Sequence, residues 1–204
     1  MSGIVGSYFN TRGSGIVVKL GTDGQVFTST GAGLKQGFED AAGGGLTGAQ
    51  TFRPTGNTTV TTGANTLITN WEAIDEPNAQ GAIGTSVSHS GGTFTIGATG
   101  IWLVTTCAKF EMSVTNRYFG LNMEYTHDAW TTTHSATDPS GSAYRDSGTY
   151  YQGDNGGVQM IDVADTTNYQ VRLNGSCEQT NGAAVTGSSA STQSWCSFLR
   201  LADR

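Results

Sequence analysis

The sequence predicts an all-β protein: short antiparallel strands forming a sandwich or barrel, preceded by an arm. Three observations predict it. Helix formers are scarce, since only 13% of the 204 residues are charged, 30 are glycine, and Thr, Ser and Asn run throughout. Short stretches rich in β-branched and aromatic residues recur between turn clusters: Ser90-Gly91-Gly92, Gly97 to Gly100, Asp138-Pro139-Ser140-Gly141 and Gly153 to Gly157. Apolar and polar residues alternate along several of these stretches, which is the period of a half-buried strand.

The chain reads in three parts: an arm (1–41), a glycine-rich linker (42–56, "AGGGLTGAQTFRPTG") and a head (57–204). In the arm, "SGIVVKL" (14–20) and "QVFTST" (25–30) flank Asp23-Gly24, a dipeptide that favours a tight turn, so a hairpin is expected there. A lone hairpin is marginal in water, so the arm wants a partner surface. Its apolar points Ile4, Val5, Tyr8, Phe9, Val26, Phe27, Leu34 and Phe38 are the candidate docking anchors.

In the head, strands are expected at 66–73, 84–90, 92–97, 100–112, 116–126, 142–152, 156–163, 168–177 and 193–202. In "NYQVRLN", Tyr169, Val171 and Leu173 share one face, while Gln170, Arg172 and Asn174 share the other. The stretch 101–110 differs. Trp102, Val104, Thr106, Ala108 and Phe110 take one face; Ile101, Leu103 and Cys107 take the other. A strand apolar on both faces is covered on both, so loops or another subunit must cover the second.

Gly31-Ala32-Gly33-Leu34-Lys35-Gln36-Gly37 lacks the Gly-Lys-Ser/Thr order of a phosphate loop and the spacing of a dinucleotide fingerprint. Flexible backbone following a partner's contour is the expected reading. No Gly-x-Ser-x-Gly elbow is present. His127-Asp128 with His134 is a weak metal or catalytic candidate against the plainer reading of solvated loop histidines, which extends to His89. Asp162, Asp165 and Asn168 are a weak calcium candidate against the plainer reading of a turn. Asp138, Asp146 and Asp154 with Tyr144, Tyr150 and Tyr151 form a candidate sugar-binding or inter-subunit loop set. The expectation is no enzyme, no catalytic residue, no cofactor and no metal.

The net charge of −6 argues against nucleic acid, and no apolar run approaches a membrane span. The N-terminal "MSGIVGSYFN" does not read as a secretory signal. Cys107, Cys177 and Cys196 are then expected as buried thiols, with a Cys177–Cys196 bridge as the sharper alternative.

The order "NTLITNWEA", "SHSGGTFTIGATGIWLVTTCAKFE", "GGVQMIDVADTTNYQVRLNG" and "STQSWCSFLRLA" resembles the jelly roll of the complement globular-head and tumour-necrosis-factor superfamily. Phe94, Gly100 and Trp102 stand at that family's corner motif, and Asp162-Val163-Ala164-Asp165 at its acidic turn. The resemblance implies an antiparallel jelly-roll β-sandwich and a homotrimer, with Ile101, Trp102, Leu103, Val104, Cys107 and Phe110 at the trimer interface and core. "GSYFNTRGSGIV" and "GTDGQVFTSTGAGLKQGFED" resemble N-terminal segments of tailed-bacteriophage structural proteins. That resemblance implies a virion surface protein assembled in the host bacterial cytoplasm. Capsid decoration as a cement or head-fibre protein is expected, with the arm bound to the major capsid protein or another virion protein. A tail-fibre tip or tail adhesin binding a host surface glycan or protein is the alternative.

Overall fold

The computed structural model describes residues 8–10, 17–19, 25–29, 36–40, 46–62, 65–74, 82–84, 87–137, 140–143, 152–179 and 183–204. The chain divides into two compact units, Met1–Gly45 and Leu46–Arg204.

The first unit contains β1 (Tyr8–Asn10), β2 (Val17–Lys19), β3 (Gln25–Ser29) and β4 (Gln36–Asp40). β1 pairs with β2, and β3 with β4, both antiparallel. This corrects the expected hairpin about Asp23-Gly24, because the flanking stretches each pair elsewhere. In the second pair Phe27 stands opposite Phe38, and the connecting residues 30–35 lie outside the described residues. Of the stretch Gly31 to Gly37, only Gln36 and Gly37 are described, and both fall on β4. Of the docking anchors, Tyr8 and Phe9 fall on β1, Val26 and Phe27 on β3, and Phe38 on β4. Ile4, Val5, Leu34 and Lys35 lie outside the described residues.

The second unit begins with β5 (Gly48–Pro54), β6 (Thr58–Val60), β7 (Thr66–Leu67), β8 (Trp71–Ala73), β9 (Ile83–Gly84), β10 (Val87–Ser90) and β11 (Thr93–Ile96). The two long strands β12 (Gly100–Met112) and β13 (Asn116–Thr126) follow, with the bounds that the sequence predicts. Then come β14 (His134–Thr137), β15 (Ser140–Ala143), β16 (Gln152–Val163), β17 (Gln170–Cys177), β18 (Ala183–Val185) and β19 (Trp195–Ala202). One eight-stranded sheet runs β6-β18-β12-β19-β5-β8, with β16 also on β12 and β9 on β5. One seven-stranded sheet runs β10-β11-β17-β13-β14, with β15 on β13 and β7 on β17. The described residues contain no helix long and apolar enough to cross a membrane.

Two stretches fold against their local sequence signals. β5 lies inside the expected linker, where it pairs with β19, β8 and β9. Phe52, Arg53 and Pro54 are buried, so tertiary pairing overrides the flanking glycines. The expected turn at 153–157 is instead the start of β16, laddered onto β12 from Gln152 onward. Gly156 permits this: a Cβ there would sit 2.2 Å from the Thr106 carbonyl oxygen.

The core fills the space between the sheets. Phe52, Phe94 and Phe198 meet with ring centroids 5.0 to 6.1 Å apart, and Trp71 meets Phe94 edge-on at 5.3 Å. Each such ring contributes roughly 2 to 3 kcal/mol by leaving water. The buried indole of Trp102 donates to the Ala98 carbonyl at 3.0 Å, so its N–H is not stranded. Gly100 turns the corner between them at φ 134°, a conformation that side chains resist, and a Cβ there would lie 2.4 Å from the Ala202 carbonyl oxygen. The Phe94–Gly100–Trp102 signal thus has a packing reason.

A polar row crosses β13 and β17 on the side away from this core. Glu124 stands opposite Arg172, and Asn122 opposite Asn174. Both asparagines are buried, and the Asn122 Oδ1 acceptor and the Asn174 Nδ2 donor have no hydrogen-bond partner. An ion pair joins the buried Arg53 Nε to the half-buried Glu72 Oε1 at 2.8 Å. None of the three cysteines forms a disulfide, so the Cys177–Cys196 bridge is absent. Cys177 and Cys196 are buried, and burial raises the Cys196 thiol far above its ordinary range; Cys107 is half-buried.

Candidate functional site

Two surfaces of the head are candidates. The first is the outer face of the eight-stranded sheet. Along β12 burial alternates strictly: Trp102, Val104 and Phe110 point into the core, while Ile101, Leu103 and Cys107 lie half-buried on the other face. The named interface-and-core set is therefore two sets. Strand register extends the outer one sideways. Met160, Leu103, Leu199 and Ala49 form one row across β16, β12, β19 and β5. Val158, Thr105, Ser197 and Thr51 form the next, where the Thr51 and Ser197 hydroxyls meet at 2.6 Å. Val158 and Met160 are 60% and 59% exposed. Sequence reading missed both, because alternation within β16 looks the same whichever face is covered.

The second surface is the tip of the β13–β14 hairpin. Its turn is held by Thr126, whose buried hydroxyl meets Asp128 Oδ1 at 2.7 Å and accepts from the backbone N–H groups of Asp128 and Trp130. Asp128 Oδ1 accepts in turn from the Thr132 backbone N–H at 2.8 Å. Those donors, Thr132 first, hold the Asp128 carboxyl down at about 2. Ala129 and Trp130 take left-handed backbone conformations, at φ 53° and 69°, which non-glycine residues adopt at a cost. The Ala129 N–H donates to the Asn168 carbonyl at 3.3 Å, tying the tip to the neighbouring turn.

This turn brings His127 and His134 together: His127 is an exposed residue of the bend, as expected for a solvated loop histidine, while His134 is half-buried on β14. His134 starts β14 opposite Tyr125, and its Nε2 lies 3.2 Å from His127 Nδ1. Tyr125, His134 and His127 stack in that order, each step 5.1 Å between centroids, and Tyr169 tilts against His127 at 6.2 Å. A cleft of about 350 Å³ opens beside them, lined by Tyr125, His127, Met160, Ile161, Asp162 and Tyr169. The seven-residue offset hides the pair from a spacing rule; only the hairpin register reveals it. His89 is not a loop residue: it lies on β10 with its ring 5.4 Å from Phe52.

The other candidate groups are placed differently. Asp165 Oδ1 accepts from the backbone N–H groups of Thr167 and Asn168 at 2.9 and 2.7 Å, and these bonds lower its carboxyl. Asp162 pairs with Arg204 at 3.0 Å. Both carboxylates thus have partners that suit a plain turn. Among the described residues no three His, Cys, Asp or Glu side chains converge as a metal cage. Of the proposed sugar loop, Asp138, Tyr144, Asp146, Tyr150 and Tyr151 lie outside the described residues, and Asp154 stands opposite Lys109 on β16.

No family model matches the chain, and no curated protein does. Solved structures match its fold. Murine APRIL at pH 5.0 aligns at TM-score 0.52 and 15% identity, covering 76% of this chain and 98% of that one. Murine APRIL at pH 8.0 aligns at TM-score 0.51 and 13% identity, with the same coverage. Eiger TNF from S. frugiperda aligns at TM-score 0.51 and 14% identity, covering 76% of this chain and 93% of that one. At these identities the likeness is one of fold, and the expectation of an all-β jelly-roll sandwich like that of the tumour-necrosis-factor proteins holds.

Proposed function

We propose that this chain is a non-enzymatic structural protein of a tailed-bacteriophage virion, a homotrimer that decorates the capsid through its arm. The observation that carries self-association is the outer apolar row of the eight-stranded sheet, above all the exposed Val158 and Met160 beside Leu103 and Leu199. Three copies closing in a ring cover such a face without leaving a growing edge. If each chain buried about 1,000 Å² of mostly apolar surface, the gross gain would be about 25 kcal/mol. Association costs remove roughly 4 to 15 kcal/mol or more of that, and the remainder favours the trimer.

The virion assignment rests on the resemblance of the arm, residues 6–40, to phage structural proteins. The second reading is a tail adhesin, and the cleft beside Tyr125, Tyr169 and Asp162 favours it, since aromatic faces and a carboxylate suit a glycan. Sedimentation of the purified chain at low micromolar concentration tests the trimer; a folded monomer would overturn it. Quantitative mass spectrometry of purified virions tests the location, with many copies per particle expected for decoration and few for a tail adhesin.

A further inference from the structure

We propose that His127 and His134 form a two-imidazole chelate for a transition-metal dication of the zinc class at the tip of the β13–β14 hairpin. Zinc binds imidazole nitrogen at about 2.0 to 2.1 Å, so two ligands at a tetrahedral angle stand about 3.3 Å apart. His127 Nδ1 and His134 Nε2 are 3.2 Å apart. The spacing that a dication needs is present before it binds.

The pair is also held in place. Tyr125 stacks on His134 with planes 27° apart, and the two imidazoles are 23° apart. The turn between them is fixed by the Thr126 hydroxyl and the Asp128 carboxylate. These contacts favour the facing arrangement of the two rings, although His127 is exposed, and such pre-positioning raises affinity for a given set of contacts. The remaining coordination positions fall to water or an outside ligand. Charge agrees: the chain carries −6, and Asp162 lines the adjoining cleft.

The proton balance closes within the two rings. The ring nitrogen that bears the shared hydrogen gives it up, and the distal nitrogen of the same ring takes one. Both imidazoles stay neutral, and both facing lone pairs become donors to the metal. This inference is independent of the self-association proposed above.

The test is calorimetric titration of the full chain with zinc chloride, repeated on His127→Ala, His134→Ala and, as a control, His89→Gln. One saturable site per chain is expected, weakened at least tenfold in each of the first two variants and kept in the control. Absence of saturable heat at millimolar zinc, or binding unchanged in both single variants, overturns the proposal. Nuclear magnetic resonance of the unaltered chain guards against a variant that fails to fold. Zinc-dependent shifts centred on Tyr125, His127 and His134 support the site, and shifts centred elsewhere overturn it.

Discussion

The guanidinium carbon of Arg172 lies 4.1 Å from the centre of the Trp130 ring, while its Nε donates to Glu124 Oε2 at 2.6 Å. One cation thus joins an indole held in a left-handed turn to a carboxylate that is only 8% exposed. Stacking on an aromatic face and pairing with a buried acid call on different properties of arginine, and lysine reproduces only the charge. Arg172→Ala is expected to cost about 2 to 4 kcal/mol, because it leaves the Glu124 charge with a weaker set of partners. Arg172→Lys is expected to cost about 1 kcal/mol. Chemical denaturation of the three proteins checks the order.

Gly100→Ala is expected to destabilise the head by about 1 to 3 kcal/mol, the range for backbone held where a side chain resists. The added methyl meets the Ala202 carbonyl as well as an unfavourable φ. Gly91→Ala is the useful comparison, since its φ is also positive but nothing lies within 4 Å of the added carbon. Thermal denaturation should show a smaller loss there.

Met160→Lys and Val158→Lys test the covered face without touching the core. Both side chains are more than half exposed in the single chain, so each change should alter the stability of that chain by no more than about 0.5 kcal/mol. Sedimentation should nonetheless shift from trimer to monomer, while circular dichroism stays the same. A trimer unaffected by both charges would move the interface off this sheet.

Asp165 gives a pH dependence of known sign. Its carboxyl is lowered from the ordinary 3.8, first by the Asn168 backbone N–H, so folding favours the charged form. The stabilisation is present above the unfolded carboxylate value and fades as pH falls through the lower folded one. Asp165→Ala should therefore be less stable than the unaltered chain at pH 7, with the gap closing only at pH values below 3.8. Denaturation at a series of acid pH values checks this.

The frame of the head was readable because its signals are local. β12 and β13 have the expected bounds, since long alternating runs ended by turn residues leave little choice. Gly100 and Trp102 stand where a sharp corner precedes a buried strand. β5 was hidden because Pro54 and the preceding glycines look like a linker, and its pairing with β19 joins Phe52 to a residue far along the chain, Cys196. The histidines stand together as a candidate in the sequence, but their contact was not readable for the same physical reason. Composition puts His127 and His134 near a turn, but only the register at Tyr125 and His134 sets one ring beside the other.

The polar row opposite the core has a consequence for how β13 and β17 find their alignment. Sliding these strands by two residues would keep Leu121, Met123, Val171 and Leu173 inward, so oil-and-water sorting alone tolerates the mistake. The same slide would leave Glu124 facing an amide and Arg172 without its acid. The Glu124–Arg172 ion pair therefore serves as a proofreading key, rejecting misthreaded sheets that greasy contacts would accept.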